Sequence, residues 1–129
     1  MTPLPPPEKV VLIVEDRPDT RKSLMLLLEA YGFPAAEAAD GRQALDYLRS
    51  HPPPSLILLD LSMPVMDGWQ FRAAQRADPA LNAIPTVVTS AYHTAAATPD
   101  LADVAGFHVK PVDPAELLET VRLFCGPAA

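Results

Sequence analysis

The sequence predicts an α/β fold, a right-handed doubly wound parallel sheet of five strands with helices on both faces. Three observations predict it. Short apolar runs rich in β-branched residues alternate five times with helical stretches. The runs Val10–Val14 and Leu56–Leu59 are apolar at every position, as parallel strands buried on both faces should be. Helix-start signals recur at matching intervals, because Asp40, Asp67 and Asp113 each stand three residues before a Gln or Glu, the spacing of a capping box.

Taken in order, Val10–Val14 is the first strand. A helix follows, with Pro18 suited to its first turn, Leu24, Leu27, Leu28 and Tyr31 on one face, and Gly32 as its stop. Ala35–Ala38 is a weaker second strand. Asp40 then opens a helix that turns Ala44, Leu45 and Leu48 inward and ends near His51-Pro52. Leu56–Leu59 is the third strand, and Asp67 starts a helix that Pro79 closes after Asp78. Ile84–Thr89 is the fourth strand. Between Tyr92 and Gly106 the pattern weakens, with Thr98-Pro99 able to cap a short helix to about Ala105. Phe107–Val109 is a brief fifth strand, and Asp113 caps a last helix carrying Leu117, Val121 and Phe124 on one face.

Composition narrows the function. The 129 residues, 49% of them apolar, suit one domain, read as residues 9–126 between a flexible Pro-rich tail at 1–8 and a short tail at 127–129. The apolar runs are far shorter than the roughly 20 residues that cross a bilayer, and the amino-terminal MTPLPPPEK lacks the basic and apolar regions of a secretory signal. A cytoplasmic protein with no membrane partner is expected. Net charge is −6 and no Lys/Arg cluster exists to neutralise phosphates, so no nucleic-acid partner is expected either. The single cysteine, Cys125, rules out an internal disulfide and reads as a small buried apolar residue.

In a doubly wound sheet, ligands sit at the carboxyl ends of the strands. Those ends carry Glu15 and Asp16, then Asp60, Ser90 and Lys110. Three carboxylates within ~5 Å repel by about 3 kcal/mol per pair at an effective dielectric near 20, so a cation is expected among them. Oxygen donors without His or Cys favour a hard divalent ion such as Mg²⁺, which also takes phosphate oxygens as ligands. Lys110 and Ser90 could hold phosphate oxygens, with a carboxylate available as nucleophile.

The motifs VVLIVED, ILLDLSMPVMDG, IPTVVTSA and VKP, in this order, resemble a response-regulator receiver domain of two-component signalling, of the stand-alone single-domain type. The resemblance covers nearly the whole chain. It implies a flavodoxin-like strand order 2-1-3-4-5 and a phosphoacceptor at Asp60. The donor would be a phosphohistidine on a histidine kinase or histidine phosphotransfer protein, and the output an unidentified downstream protein. Asp16 and Asp60 would bind Mg²⁺ (or Mn²⁺), Glu15 would act mainly through a bound water, and the backbone carbonyl of Ser62 would complete the metal ligands. Ser90 and Lys110 would contact the phosphoryl group, Ser90 and Phe107 would form the switch, and Lys110-Pro111 matches the family's cis peptide. Ser62 and Tyr92, two residues past Asp60 and Ser90, flank the hydrolytic path, and a bulky Tyr92 is expected to slow water attack. Only 20 positions separate Ser90 from Lys110, so a shortened or irregular fourth helix is expected, and His108 stands where an apolar strand residue is usual.

Two other readings compete. One is a degenerate receiver acting as a phosphorylation-independent interaction module, which a complete acceptor set disfavours. The other is a small Mg²⁺-dependent aspartyl-phosphate phosphatase, but haloacid-dehalogenase-like enzymes use Asp-x-Asp after the first strand, and here Asp16 precedes Arg17-Pro18.

Overall fold

The computed structural model describes residues 8–63, 65–91 and 103–127. Within them lie β1 (Glu8–Val14), α1 (Pro18–Ala30), β2 (Ala35–Ala38), α2 (Gly41–Ser50), β3 (Pro54–Asp60), α3 (Gly68–Ala77), β4 (Thr86–Ser90), β5 (Gly106–Val109) and α4 (Pro114–Cys125). All strand pairs are parallel, in the order β2-β1-β3-β4-β5, which is the expected topology. Residues 1–7 and 128–129 of the expected tails, Tyr92, and most of the expected short helix lie outside the described residues. Its last residues, 103–105, are described and are not helical.

Apolar-throughout strands do what that pattern requires. Along β1, Val11 and Ile13 face one core and Leu12 and Val14 the other; along β3, Leu56 and Leu58 oppose Ile57 and Leu59 in the same way. One core is completed by α1 and α4 through Leu28, Leu117 and Val121, and the other by α2 and α3 through Ala44, Leu48 and Phe71. Each of the fully buried Leu and Ile side chains in these strands contributes about 2 kcal/mol of burial free energy, so the sheet is held from both sides. Cys125 lies buried in the first core, where desolvation pushes its thiol up.

The helix ends follow local chemistry. Asp67 forms a full capping box with Gln70 at the start of α3. At α2, Asp40 accepts from the Gln43 amide, but the Gln43 side chain reaches the amide of Ala39, one residue upstream of the expected partner. Gly32, with φ 81, ends α1 in a Schellman arrangement, its amide bonding Glu29 O and that of Phe33 bonding Leu28 O. Two expectations are corrected. Tyr31 does not share the inward face of α1: it is the C-cap residue, 51% exposed, because the helix ends before its side chain can turn back onto the core. The fourth strand begins at Thr86 and not at Ile84, since Pro85 has no amide to give a ladder; its carbonyl accepts from Ile57 instead.

Candidate functional site

Strand register brings the polar residues to one rim. Val14 lies level with Leu59, Asp60 with Thr89, and Ser90 with Val109. Glu15 and Asp16 therefore follow β1 at the height where β3 ends on Asp60, and Lys110 follows β5 beside Ser90. The amide of Lys110 bonds Ser90 O at 2.8 Å, and that of Glu15 bonds Ala38 O at 3.0 Å, so the strand ends are tied across the sheet.

Carboxylate oxygens of Glu15, Asp16 and Asp60 lie within 4.8 Å of one another. The Lys110 ammonium sits between two of them, 3.1 Å from Glu15 Oε2 and 3.2 Å from Asp60 Oδ1. Glu15 and Asp60 are almost fully buried, at 2% and 3% exposure, whereas Asp16 is partly open. One ammonium thus faces three carboxylates. Burial, then the charge of Asp60, push the Glu15 carboxyl up to about 7 against the lowering by Lys110. All the donors are oxygen, crowded and short of positive charge, so the site fits a hard divalent cation.

The Asp60 carboxylate is held from below. The Ser62 amide donates to Asp60 Oδ1 at 3.3 Å, while the Ser62 side chain points to solvent. Gly68 seats α3 directly on the backbone of Asp60 and Leu61: a side-chain carbon there would collide with the carbonyl oxygen of Asp60 and lie 2.7 Å from Leu61 Cα. Ser90 is buried at the end of β4. Phe107, on the edge strand β5, packs half-buried against the α2–α3 core. His108 alternates to the opposite face, where its Nε2 lies 3.0 Å from Thr120 Oγ1 of α4, so this expected edge-strand histidine is tethered to the last helix. The Lys110-Pro111 bond is cis. Beside Lys110 a groove of about 720 Å³ runs between α1 and the turn after β5, lined by Arg17, Leu24, Leu27, Pro111 and Leu117.

The model of the response regulator receiver domain matches residues 11–122. The chain belongs to this family. An uncharacterized 14.6 kDa protein of Leptolyngbya boryana is 34% identical to the receiver over 118 residues, 89% of this chain and 88% of its own length. Response regulator Rre1 of Synechocystis is 36% identical over 123 residues, 87% of this chain but 49% of its own, so the receiver spans about half of that protein. Response regulator protein TrrA of Thermotoga maritima, solved in complex with Mg²⁺-BeF, has a TM-score of 0.81 at 25% identity, covering 91% of this chain and 99% of its own. The receiver is of the response-regulator type, and its rim is consistent with phosphorylatable two-component signalling. None of its described helices is long and apolar enough to cross a membrane.

The strand-end rule found Glu15, Asp16, Asp60, Ser90 and Lys110, and these converge. It missed Arg21, whose guanidinium contacts the backbone of the acidic pair, and the buried pair Arg72 and Gln75 on α3. For the latter a signal existed. Residues 68, 71, 72 and 75 share one helical face, and two polar side chains fall on it.

Proposed function

We propose that this receiver is a phosphorylatable member of a two-component phosphorelay that takes a phosphoryl group from a phosphohistidine of a histidine kinase or phosphotransfer protein onto Asp60. The observation that carries the reading is the surplus of buried negative charge at one rim, with Lys110 bridging Glu15 and Asp60 and Asp16 within reach. An Asp60 carboxylate oxygen attacks phosphorus, the phosphorus–nitrogen bond to the donor imidazole breaks, and the imidazole leaves with the bond's electron pair and is protonated. The product is an acyl phosphate on Asp60. A phosphodonor side chain reaches this rim by the groove beside Lys110.

Asp16, Asp60 and the carbonyl of Ser62 would hold Mg²⁺, with Glu15 acting through a bound water. When bound, the ion supplies charge neutralisation between the attacking carboxylate and the phosphoryl oxygens. The chain's own part is orientation and charge. The Ser62 amide fixes the rotation of the Asp60 carboxylate, and Lys110, already 3.2 Å away, follows the developing charge onto the phosphoryl oxygens with Ser90. A phosphoryl group adds nearly two negative charges at the rim. Its pull on Ser90 and Lys110 shifts the end of β4 and the start of the turn after β5, and Phe107 between them is the switch that carries the change to a downstream protein. Residues 9–126 form the receiver unit in this reading, and Tyr92 shields the acyl phosphate from water.

The test is incubation with Mg²⁺ and acetyl phosphate followed by intact-mass measurement. Wild type should gain one phosphoryl mass, and neither Asp60→Ala nor wild type with excess chelator should gain any. An equal adduct on Asp60→Ala, or none on wild type, removes the reading.

A further inference from the structure

Successive residues of an extended chain point in opposite directions, yet Glu15 and Asp16 both bring a carboxylate to within 4.8 Å of Asp60. The backbone therefore turns between them, and that turn needs something to hold it. At the other described helices the entry is pinned by an aspartate: Asp40 for α2, Asp67 for α3 and Asp113 for α4 each accept a backbone amide hydrogen bond. The N-cap of α1 is Arg17, which makes no side-chain cap bond. The turn that carries the acidic pair is the one without a cap.

Arg21, one turn into α1, stands in its place. Its Nη1 donates to Glu15 O at 2.8 Å and approaches Asp16 O at 3.4 Å, while its Nε lies 3.7 Å from Glu37 Oε1 on β2. The side chain is only 17% exposed, so these contacts are partly shielded from solvent. Glu15 is thereby held at both of its peptide groups, its amide by Ala38 O and its carbonyl by Arg21. The rigid fork of a guanidinium makes the double engagement possible, with one nitrogen facing the carbonyls and another the Glu37 carboxylate. An ammonium presents its donors from a single nitrogen, so it engages both only where they lie within reach of one point.

We propose that Arg21 is a positioning residue of the cation site: it clamps the uncapped turn so that the carboxylates of Glu15 and Asp16 converge on Asp60. The proposal rests on the reading of those three residues as a Mg²⁺ site. Glu37 tempers the charge of Arg21, so that the clamp adds geometry without much repulsion of a cation.

The test uses the full chain and two readouts, Mg²⁺ affinity by titration calorimetry and amide hydrogen exchange at Asp16 and Arg17 in the metal-free protein. Arg21→Met should weaken Mg²⁺ binding about tenfold, the lower end of the effect seen when a group behind a metal ligand is removed, and should speed exchange at both amides. Arg21→Lys should recover part of each. Glu37→Gln, which leaves the carbonyl contacts in place, should keep Mg²⁺ affinity within about twofold, the scale of a partly exposed ion pair. At saturating Mg²⁺ the rate of phosphorylation by acetyl phosphate in Arg21→Met should return close to wild type, separating positioning of the ion from a role in the transfer. Unchanged affinity or unchanged exchange in Arg21→Met overturns the proposal, and if that variant fails to fold, the same outcomes in Arg21→Lys decide it. A wild type that binds no Mg²⁺ removes the cation reading and the positioning role with it, while the exchange readout still reports whether Arg21 holds the turn.

Discussion

Two polar clusters are buried against the same sheet, and they balance their charges in opposite ways. Beneath α3, Gln75 is fully buried and every polar atom of its amide is engaged: Oε1 accepts from Arg72 Nη1 at 2.8 Å and Thr86 Oγ1 at 3.1 Å, and Nε2 donates to Leu81 O and Ile84 O at 3.1 Å. Arg72 in turn meets Asp103 at 3.1 Å. Only the Nε of Arg72 lacks a partner among the described buried side-chain nitrogens and oxygens. The rim cluster has the reverse accounting, with three carboxylates against one ammonium. A polar cluster whose groups are nearly all engaged with one another fixes the position of what it touches; one left with surplus charge is completed by something from outside.

The largest expected effect comes from breaking the closed cluster. Gln75→Ala would remove one hydrogen bond from each of two buried carbonyls, a hydroxyl and a guanidinium, leaving each with its other partner, and should destabilise the protein by about 3 kcal/mol. Chemical denaturation measures this, and the phosphorylated fraction of folded protein should stay at the wild-type level. A loss of phosphorylation in the folded variant would merge the two clusters into one functional unit and end the contrast.

The rim gives the opposite result when its surplus is reduced. The raised Glu15 carboxyl binds its proton more tightly in the folded state than in the unfolded one, so its contribution is full below about 4.5 and is lost as pH rises through about 7. Metal-free wild type should therefore lose stability across that window, and Mg²⁺ should restore it at the upper end. Glu15→Gln should flatten the slope and raise metal-free stability near pH 7.5 by on the order of 1 kcal/mol, while weakening Mg²⁺ binding. Thermal melts with and without Mg²⁺ from pH 5 to 8 check both. A variant that is less stable than wild type at pH 7.5 without metal would show that Glu15 is a structural partner of Lys110 and not part of a charge surplus.

This difference also explains what was legible in the sequence. The strands were readable because burial on both faces leaves an unbroken apolar run, as in Leu56–Leu59, and parallel register then forces whatever follows each run onto a shared rim. Glu15, Asp60 and Lys110 could be grouped before any coordinates were known. Arg72 and Gln75 were harder to group: their place on the buried face of α3 was a signal, but their partners Thr86, Leu81 and Asp103 lie 6 to 31 positions away in sequence and come near only on folding. Arg21 was hidden for a related reason: it acts on backbone carbonyls, which have no residue identity to read. Tyr31 was misplaced because helical periodicity continues past the point where Gly32 turns the chain.

The smallest effect sits at the edge of the closed cluster. Asp103 is 53% exposed and pairs with Arg72 at 3.1 Å and Arg76 at 3.5 Å. Desolvation is the largest single influence and raises its carboxyl, but the hydrogen bond and charge of Arg72 and the charge of Arg76 together outweigh it and hold the group below the usual carboxylate value. With a depressed folded value the sign is opposite to that of Glu15: its stabilisation is present above about 3.8 and lost as pH falls through the folded value. Asp103→Asn should therefore cost only a few tenths of a kcal/mol near pH 7, as exposed ion pairs do, and less near pH 2.5, toward which the wild-type carboxylate is progressively protonated. Arg72 keeps Gln75 in the variant, so the core of the cluster should survive intact. Denaturation midpoints at the two pH values measure the difference, and a loss of several kcal/mol at neutral pH would mean that Asp103 balances the buried guanidinium instead of trimming its exposed end.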